Sequence, residues 1–190
     1  MSLSFCENTT LTPVGLVSKL VAICHYMLAG GNAEEGAVEK RKERFAEIVG
    51  ENEGMIRRIC FGYSRTKEEM EDLFQDVLLN IWQSLPKFRG DSSVKTWIYR
   101  VALNTCVSTI RKKPKTACSN LPDVIDESEE RRRRLMELHD MISLLPPVDK
   151  AIVLLWLDET SYDDIALITG LTRNTVATRL RRAKEKLKNL

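Results

Sequence analysis

The sequence lacks the motifs that usually identify an enzyme. Its 190 residues contain no phosphate-binding G-x-x-x-x-G-K loop, no G-x-G-x-x-G fingerprint and no nucleophile elbow. There are two histidines, His25 and His139, and the five cysteines form no C-x-x-C pair; they are Cys6, Cys24, Cys60, Cys106 and Cys118. These absences predict a non-enzymatic protein without a metal or other cofactor, and they favour reduced thiols in the cytoplasm.

Long apolar runs are missing as well. The most apolar stretch, residues 14–29, is interrupted by Lys19 and His25, so it is too short and too broken to span a membrane. Residues 1–13 carry no basic group, which argues against a secretory signal. We therefore expect no membrane insertion. Residues 1–40 are interpreted as an N-terminal extension, either disordered and dispensable or containing a short amphipathic helix. The alternative is a start placed too early, with Met27 as the candidate for the true start.

No strand pattern occurs, and helical periodicity takes its place. Apolar residues make up 43% of the chain, enough for packed cores. They recur with the helical period over residues 45–63, 70–82 and 94–110, and Cys60 and Cys106 fall on these stripes. Residues 114–128 contain prolines and acids without periodicity, and helical patterns resume after them. The prediction is an all-α protein with two small helical domains joined by a flexible linker.

Residues 161–183 have the pattern of a helix-turn-helix. Ser161 and Asp164 form a capping box, Gly170 permits a tight turn, and Thr172 can cap the next helix. That helix then has one apolar stripe, formed by Val176, Leu180, Ala183 and Leu187.

The other faces of this second helix are polar and basic. Although the whole chain has a net charge of only +2, residues 172–190 hold seven basic residues and a single acid, Glu185. Arginine, asparagine and threonine suit the edges and phosphates of a DNA major groove. The alternative is a surface helix with solvated charges.

The helix predicted over residues 70–82 has an unusual outer face. Leu79 lies there among Asp72, Gln75 and Asp76, opposite the apolar stripe. An apolar side chain surrounded by polar ones is typical of a protein-contact site, although single surface leucines are also common.

The loop and helix that follow combine basic and aromatic residues, an arrangement that suits single-stranded nucleic acid. The basic and aromatic positions, with two serines between them, are Lys87, Phe88, Arg89, Ser92, Ser93, Lys95, Trp97, Tyr99 and Arg100. Trp97 lies on the stripe of Val94 and Val101 and is expected in the core. Tyr99 is expected to be the freer aromatic.

Residues 71–113, with the run D-L-x-Q-D-V-x-L-x-x-W from Asp72 to Trp82, closely resemble region 2 of the extracytoplasmic-function (ECF) group of sigma-70 RNA polymerase sigma factors. Residues 41–63 are similar to the start of that region, and residues 143–187 resemble region 4. The resemblance implies region 2 over residues 41–113, a linker over 114–128 and a region 4 helix-turn-helix over 129–190.

The resemblance also implies residue roles. Asp72, Gln75, Asp76 and Leu79 would contact core RNA polymerase. The basic–aromatic residues apart from Trp97 would bind the −10 element. The −35 element would be read by Arg173, Asn174, Thr175, Ala177, Thr178, Arg181 and Arg182. Ala177 replaces a longer polar residue, so readout from that position would be weak or limited to a methyl contact.

The implied function is promoter recognition and melting without bond chemistry. The implied partners are core RNA polymerase and promoter DNA, with an anti-sigma factor as a further candidate and no small-molecule substrate. Two other classes stay open on the residues alone. A one-component helix-turn-helix regulator would dimerise on a palindromic operator, and a helical interaction protein would bind an acidic partner.

Overall fold

The computed structural model describes residues 35–112 and 129–189. Most of the predicted N-terminal extension, and the predicted linker over 114–128, lie outside these residues. Within the described ranges the regular structure is helical and no strand occurs, which confirms the all-α prediction. The α-helices are α1 (Glu35–Tyr63), α2 (Lys67–Ser84), α3 (Val94–Lys112), α4 (Glu129–Ser143), α5 (Pro147–Leu157), α6 (Tyr162–Thr169) and α7 (Arg173–Lys188), with a 3₁₀ turn at Leu85–Lys87.

The contacts divide the chain into two units, with the boundary between Glu51 and Asn52 inside α1. In the first unit the described helical residues bury Phe45, Ile48 and Val49, which follow the helical period seen in the sequence. The second unit contains the remainder of the chain, including every predicted site. Below, its residues 52–112 are called the first half and its residues 129–189 the second half.

The core of the first half lies between α2, α3 and the end of α1. Helix α2 buries its predicted stripe, which is Leu73, Phe74, Val77, Leu78, Ile81 and Trp82. Cys60 and Cys106 are fully buried free thiols, which confirms their expected core role. A hydrogen bond with Cys106, together with burial, raises the pKa of the Cys60 thiol, so that thiol stays protonated and unreactive.

Helix α2 begins with a capping arrangement. The Thr66 hydroxyl accepts a hydrogen bond from the Glu69 backbone N–H at 3.1 Å, and the Glu69 carboxylate accepts one from the Arg65 N–H at 2.9 Å. Two backbone donors are thus satisfied at the helix start, where the dipole also favours the acids Glu68 and Glu69. These hydrogen bonds fix the residue at which α2 begins, and thereby which of its side chains lie on the outer face.

The core of the second half is formed by α5, α6 and α7. Ile152, Leu155, Ile165, Val176 and Leu180 are almost fully buried there. Helix α5 is apolar on most of its sides and buries Ala151, Ile152, Val153 and Leu155, whereas its apolar residues Val148, Trp156 and Leu157 are exposed.

The two halves contact each other through the C-terminal end of α1. The Tyr63 hydroxyl donates to the Pro147 carbonyl at 2.8 Å, and His139 Nε2 lies 3.1 Å from the Phe61 carbonyl oxygen and 3.0 Å from that of Ser64. Helix α1 ends at Tyr63, and the Phe61 carbonyl there also accepts hydrogen bonds from the Ser64 N–H at 3.3 Å and the Ser64 hydroxyl at 3.0 Å. The imidazole therefore adds a contact from α4 to the backbone at the end of α1.

Candidate functional site

The helix-turn-helix has the cap and turn geometry that the sequence predicted. The Ser161 hydroxyl accepts a hydrogen bond from the Asp164 N–H at 3.1 Å and donates to the Asp164 carboxylate at 2.6 Å. Gly170 ends α6 with φ +71°, a left-handed conformation that glycine adopts without steric cost. The Thr172 hydroxyl accepts from the Thr175 N–H at 3.3 Å and begins α7. Local hydrogen bonds and the glycine conformation therefore mark where α6 ends and α7 begins.

One side of α7 packs into the second half and the other is open. Val176, Leu180 and Ala183 are buried and Leu187 is half-buried, which gives the predicted stripe. The predicted reading residues lie elsewhere around the helix. Arg173, Asn174, Thr178, Arg181 and Arg182 are exposed, and Thr175 and Ala177 are half-buried.

These exposed side chains differ in their surroundings. At about 100° per residue, Asn174, Thr178 and Arg181 lie near the middle of the open face. Arg173 lies beside the buried stripe, and its Nε is 3.2 Å from the Asp163 carboxylate on α6. Both side chains are mostly exposed, at 65% and 76%, so this pair contributes little stability and leaves Arg173 available to an anionic ligand.

The basic–aromatic loop leads into α3. Gly90 has φ +82°, and the Ser93 hydroxyl accepts a hydrogen bond from the Thr96 N–H at 3.1 Å where α3 begins. Around this turn the predicted −10 residues Lys87, Arg89, Ser93 and Lys95 are exposed, and Phe88 and Ser92 are half-buried.

The aromatic residues depart from the sequence-based expectation. Trp97, expected in the core, is half-buried and packs against Phe88 with the ring centroids 4.8 Å apart. Tyr99, expected to be the freer aromatic, is only 2% exposed. That expectation was wrong because the second half covers Tyr99, whose hydroxyl donates to the Asp158 carboxylate.

Arg100 is also engaged by the second half. Arg100 as a residue is half-buried, and its guanidinium donates to the Leu167 carbonyl, with Nε at 3.1 Å. Leu167 lies in the last turn of α6, where carbonyls lack helical partners and the dipole favours a cation. The structure thus gathers the loop residues into one basic patch and places Tyr99 and Arg100 against α5 and α6. Burial and the hydrogen bond with Asp158 raise the pKa of Tyr99, so its phenol stays a donor.

The outer face of α2 carries the predicted protein-contact residues. Leu79 is 38% exposed, and Asp72, Gln75 and Asp76 are exposed around it. Its exposure agrees with the helical-period argument, and its role as a contact stays a prediction.

A polar groove between α2 and α3 was missed from the sequence. Its lining includes Asn80 and Gln83 of α2, Lys87 of the 3₁₀ turn, and Asn104 and Thr105 of α3. The Asn80 amide donates to the Thr105 hydroxyl at 3.0 Å. Each polar residue is unremarkable alone, and only the pairing of the two helices brings them together.

Two kinds of feature are absent from the described residues. No three histidine, cysteine or acidic side chains among them lie close enough to hold a metal ion together. In the same residues, no helix has the length and apolar character needed to cross a bilayer.

Family comparisons match both halves of the chain. A model of sigma-70 region 2 matches residues 48–116, and a model of sigma-70 region 4 matches residues 135–187. The chain is 27% identical over 129 residues to the RNA polymerase sigma factor SigV of Bacillus subtilis, covering 66% of this chain and 78% of that one. It is 26% identical over 172 residues to the ECF RNA polymerase sigma factor SigM of Mycobacterium tuberculosis, covering 84% of each.

The fold also resembles solved structures. The sigma factor RpoE in complex with the anti-sigma factor NepR from Bartonella quintana matches with a TM-score of 0.64 and 21% identity, covering 77% of this chain and 96% of RpoE. CnrH in complex with the cytosolic domain of CnrY matches with a TM-score of 0.61 and 18% identity, and the match covers 92% of this chain and 93% of the matched chain.

Proposed function

The chain belongs to the ECF group of the sigma-70 family, and from this premise we propose that it binds core RNA polymerase, recognises −10 and −35 promoter elements and helps melt promoter DNA to start transcription. The observation that carries the proposal is the presence of two separate basic surfaces, the loop patch before α3 and the open face of α7. They lie in the two parts of the chain that match regions 2 and 4. We assign residues 41–113 to region 2 and residues 129–190 to region 4.

The upstream element would be read by α7. Arg173 and Asn174 occupy its first turn, the end that enters the major groove when a helix-turn-helix docks on DNA. Arginine pairs with guanine and asparagine with adenine. Arg181 lies about two turns further along and is suited to a phosphate, which adds affinity without sequence preference.

The downstream element would meet the loop before α3. Lys87, Arg89 and Lys95 are exposed cations that can follow the phosphates of an unpaired strand. Phe88 and Trp97 supply a partly exposed aromatic pair next to them. Capture of an unpaired base selects the open strand, so binding free energy would promote melting.

The polymerase would dock on the outer face of α2. Leu79 offers an apolar contact, and the surrounding carboxylates and amide give this contact charge and hydrogen-bonding specificity. Binding by two tethered halves raises the effective concentration of each for its own element, so neither contact needs to be strong alone. No bond is made or broken by the chain itself.

An anti-sigma factor is a further proposed partner. The solved RpoE structure contains one, and this chain shares its fold. We propose the cytoplasm, where core polymerase resides, as the location of the complex, and no small-molecule substrate.

Run-off transcription with core polymerase tests the proposal. We expect the full chain to pull down core enzyme and to direct initiation from promoters mapped as transcript starts after overexpression. Scrambling either the −10 or the −35 sequence should abolish the product. A protein that instead binds a palindromic operator as a dimer, and gives no product with core enzyme, would be a one-component regulator.

A further inference from the structure

A cavity of about 230 Å³ lies where the C-terminal end of α1 meets α4 and α5. Each of the three helices contributes apolar side chains to its lining, among them Met55, Ile59, Leu135, Leu138, Leu154 and Leu157. Leu157 is 45% exposed, so the cavity is open to solvent on one side. We call this space the apolar cavity.

Helices α1 and α5 already touch beside the apolar cavity. Gly62 is part of the lining, and a Cβ at Gly62 would lie only 2.7 Å from Leu154 Cδ1. Because the α1 backbone meets the Leu154 side chain there, the two helices cannot move closer to fill the space. The lining side chains therefore lack dispersion contacts that a ligand can supply.

The histidine of the lining is engaged by other protein groups. His139 Nε2 lies 3.1 Å from the Phe61 carbonyl oxygen and 3.0 Å from that of Ser64. Its Nδ1 is buried and lies 3.6 Å from the carboxylate of Asp140, which does not line the cavity. Neither ring nitrogen is therefore presented to a ligand.

The other polar side chains of the lining bind one another. The Tyr99 hydroxyl and the Arg58 guanidinium both donate to the Asp158 carboxylate. What remains facing the cavity is almost entirely carbon. Water gains little in such a place, since a buried water needs two to four polar partners, whereas an apolar molecule of matching size gains contacts.

We propose that the apolar cavity is a binding site for a small uncharged aromatic molecule of about two fused rings. The size follows from the volume. An apolar cavity of about 150 Å³ holds one benzene molecule, and the larger volume here has room for a two-ring hydrocarbon such as naphthalene. The class follows from the lining, because a charged or strongly polar ligand would lose its hydration without gaining a hydrogen bond.

The bound molecule would contact α1, α4 and α5 together. Its binding would therefore stabilise the folded chain by mass action. The exposed residues assigned above to polymerase and DNA lie outside the lining, so the site is additional to those surfaces.

Naphthalene is the first probe, and the full chain is the protein tested. Calorimetric titration measures the Kd, and thermal denaturation measures the stabilisation. At about ten times its Kd, naphthalene should raise the Tm by roughly 3–6 °C. Quinoxaline is the matched control ligand. It has the same two-ring shape, but its two ring nitrogens would find no donor in the cavity, so it should bind about tenfold more weakly or less.

Tryptophan substitutions on α4 test the location of the site. Leu135→Trp and Leu138→Trp each enlarge a half-buried side chain of the lining and should weaken naphthalene binding about tenfold or more. Met136→Trp is the control, because Met136 is half-buried on the same helix but outside the lining, and it should bind as wild type does. Circular dichroism checks that the three variants fold.

Magnetic resonance locates the ligand on the wild-type chain, independently of how the variants fold. Nuclear Overhauser contacts are expected between naphthalene protons and the methyl groups of Ile59 and Leu154. Failure of the wild-type chain to bind in buffer saturated with naphthalene would overturn the proposal. So would equal affinity losses in Met136→Trp and the two lining variants, or contacts confined to residues outside the lining.

Discussion

The Lys150 ammonium lies 5.2 Å from the centroid of the Tyr63 ring, at the contact between the two halves. Lys150 is only 8% exposed, and no described carboxylate lies within ion-pairing distance of it. Burial, with a smaller effect of the Arg65 charge, lowers the pKa of Lys150 to about 8. The aromatic face compensates in part for the lost hydration of the cation.

This arrangement predicts a pH-dependent stability difference. The folded-state pKa of Lys150 lies below its unfolded value, so between about pH 8 and 10.5 the unfolded chain binds more protons and the contribution of Lys150 to the free energy of unfolding rises with pH. Lys150→Met removes the buried charge and keeps a similar apolar stem, and should stabilise the protein at pH 7 by about 1–3 kcal/mol.

Urea denaturation of wild type and Lys150→Met at pH 7 and pH 9 checks this prediction. The advantage of the variant should shrink at pH 9, where Lys150 is largely neutral in the wild type. An advantage that stays constant with pH would mean that packing, and not the charge, causes it.

The outer face of α2 gives a prediction about polymerase binding. Asp76→Arg combined with Leu79→Ala should weaken binding to core enzyme by about tenfold or more, because contact residues of this kind contribute on the order of 1–2 kcal/mol each. Helix content should not change, since both side chains are exposed. A binding titration with labelled core polymerase measures the effect, and equal affinity for wild type and variant would refute the docking assignment.

Two of the arginines of α7, Arg173 and Arg181, are predicted to act differently. Arg173→Ala should weaken the free energy of binding to the preferred −35 sequence by roughly 1–3 kcal/mol, and it should relax the base preference at one or two base pairs. The exposed ion pair with Asp163 does not prevent this, because its free energy is small compared with a base contact.

Arg181→Ala should weaken binding to every sequence alike. It should also reduce the slope of the logarithm of the binding constant against the logarithm of salt concentration by about one unit. Both variants are measured with the preferred and a scrambled −35 duplex, at two salt concentrations. Equal losses on both duplexes for Arg173→Ala would mean that the reading end of α7 is placed wrongly.

The cap of α6 gives a prediction about stability. Ser161→Ala removes the hydrogen bond accepted from the Asp164 N–H and should lower the free energy of unfolding by about 1 kcal/mol, or the Tm by roughly 2–4 °C. Ser143→Ala is the control, because that hydroxyl only donates to the Asp140 carbonyl near the end of α4. Thermal denaturation should show almost no change for Ser143→Ala, and the idea of a stabilising cap fails if the two variants lose the same stability.

Much of the helix-turn-helix could be predicted from the sequence because its determinants are local. Ser161 and Asp164 are three residues apart, Gly170 ends α6 through its own backbone conformation, and Thr172 caps α7 through a neighbour. The stripes of α2 and α7 follow from the helical period in the same way. The exposure of Leu79 also follows from its angle on α2, with no reference to the rest of the fold.

The tertiary structure decided what distant residues do to one another. Tyr99 and Asp158 are 59 positions apart, so no local pattern could show that Asp158 would bury the aromatic expected to be free. The polar groove between α2 and α3 and the burial of the Lys150 ammonium were equally invisible in the sequence. Periodicity and capping act within a few residues of one helix, whereas burial and electrostatic surroundings depend on which helices meet. The sequence by itself therefore determined the helices and their caps, and only the packing of the two halves decided which of the predicted contact residues are accessible.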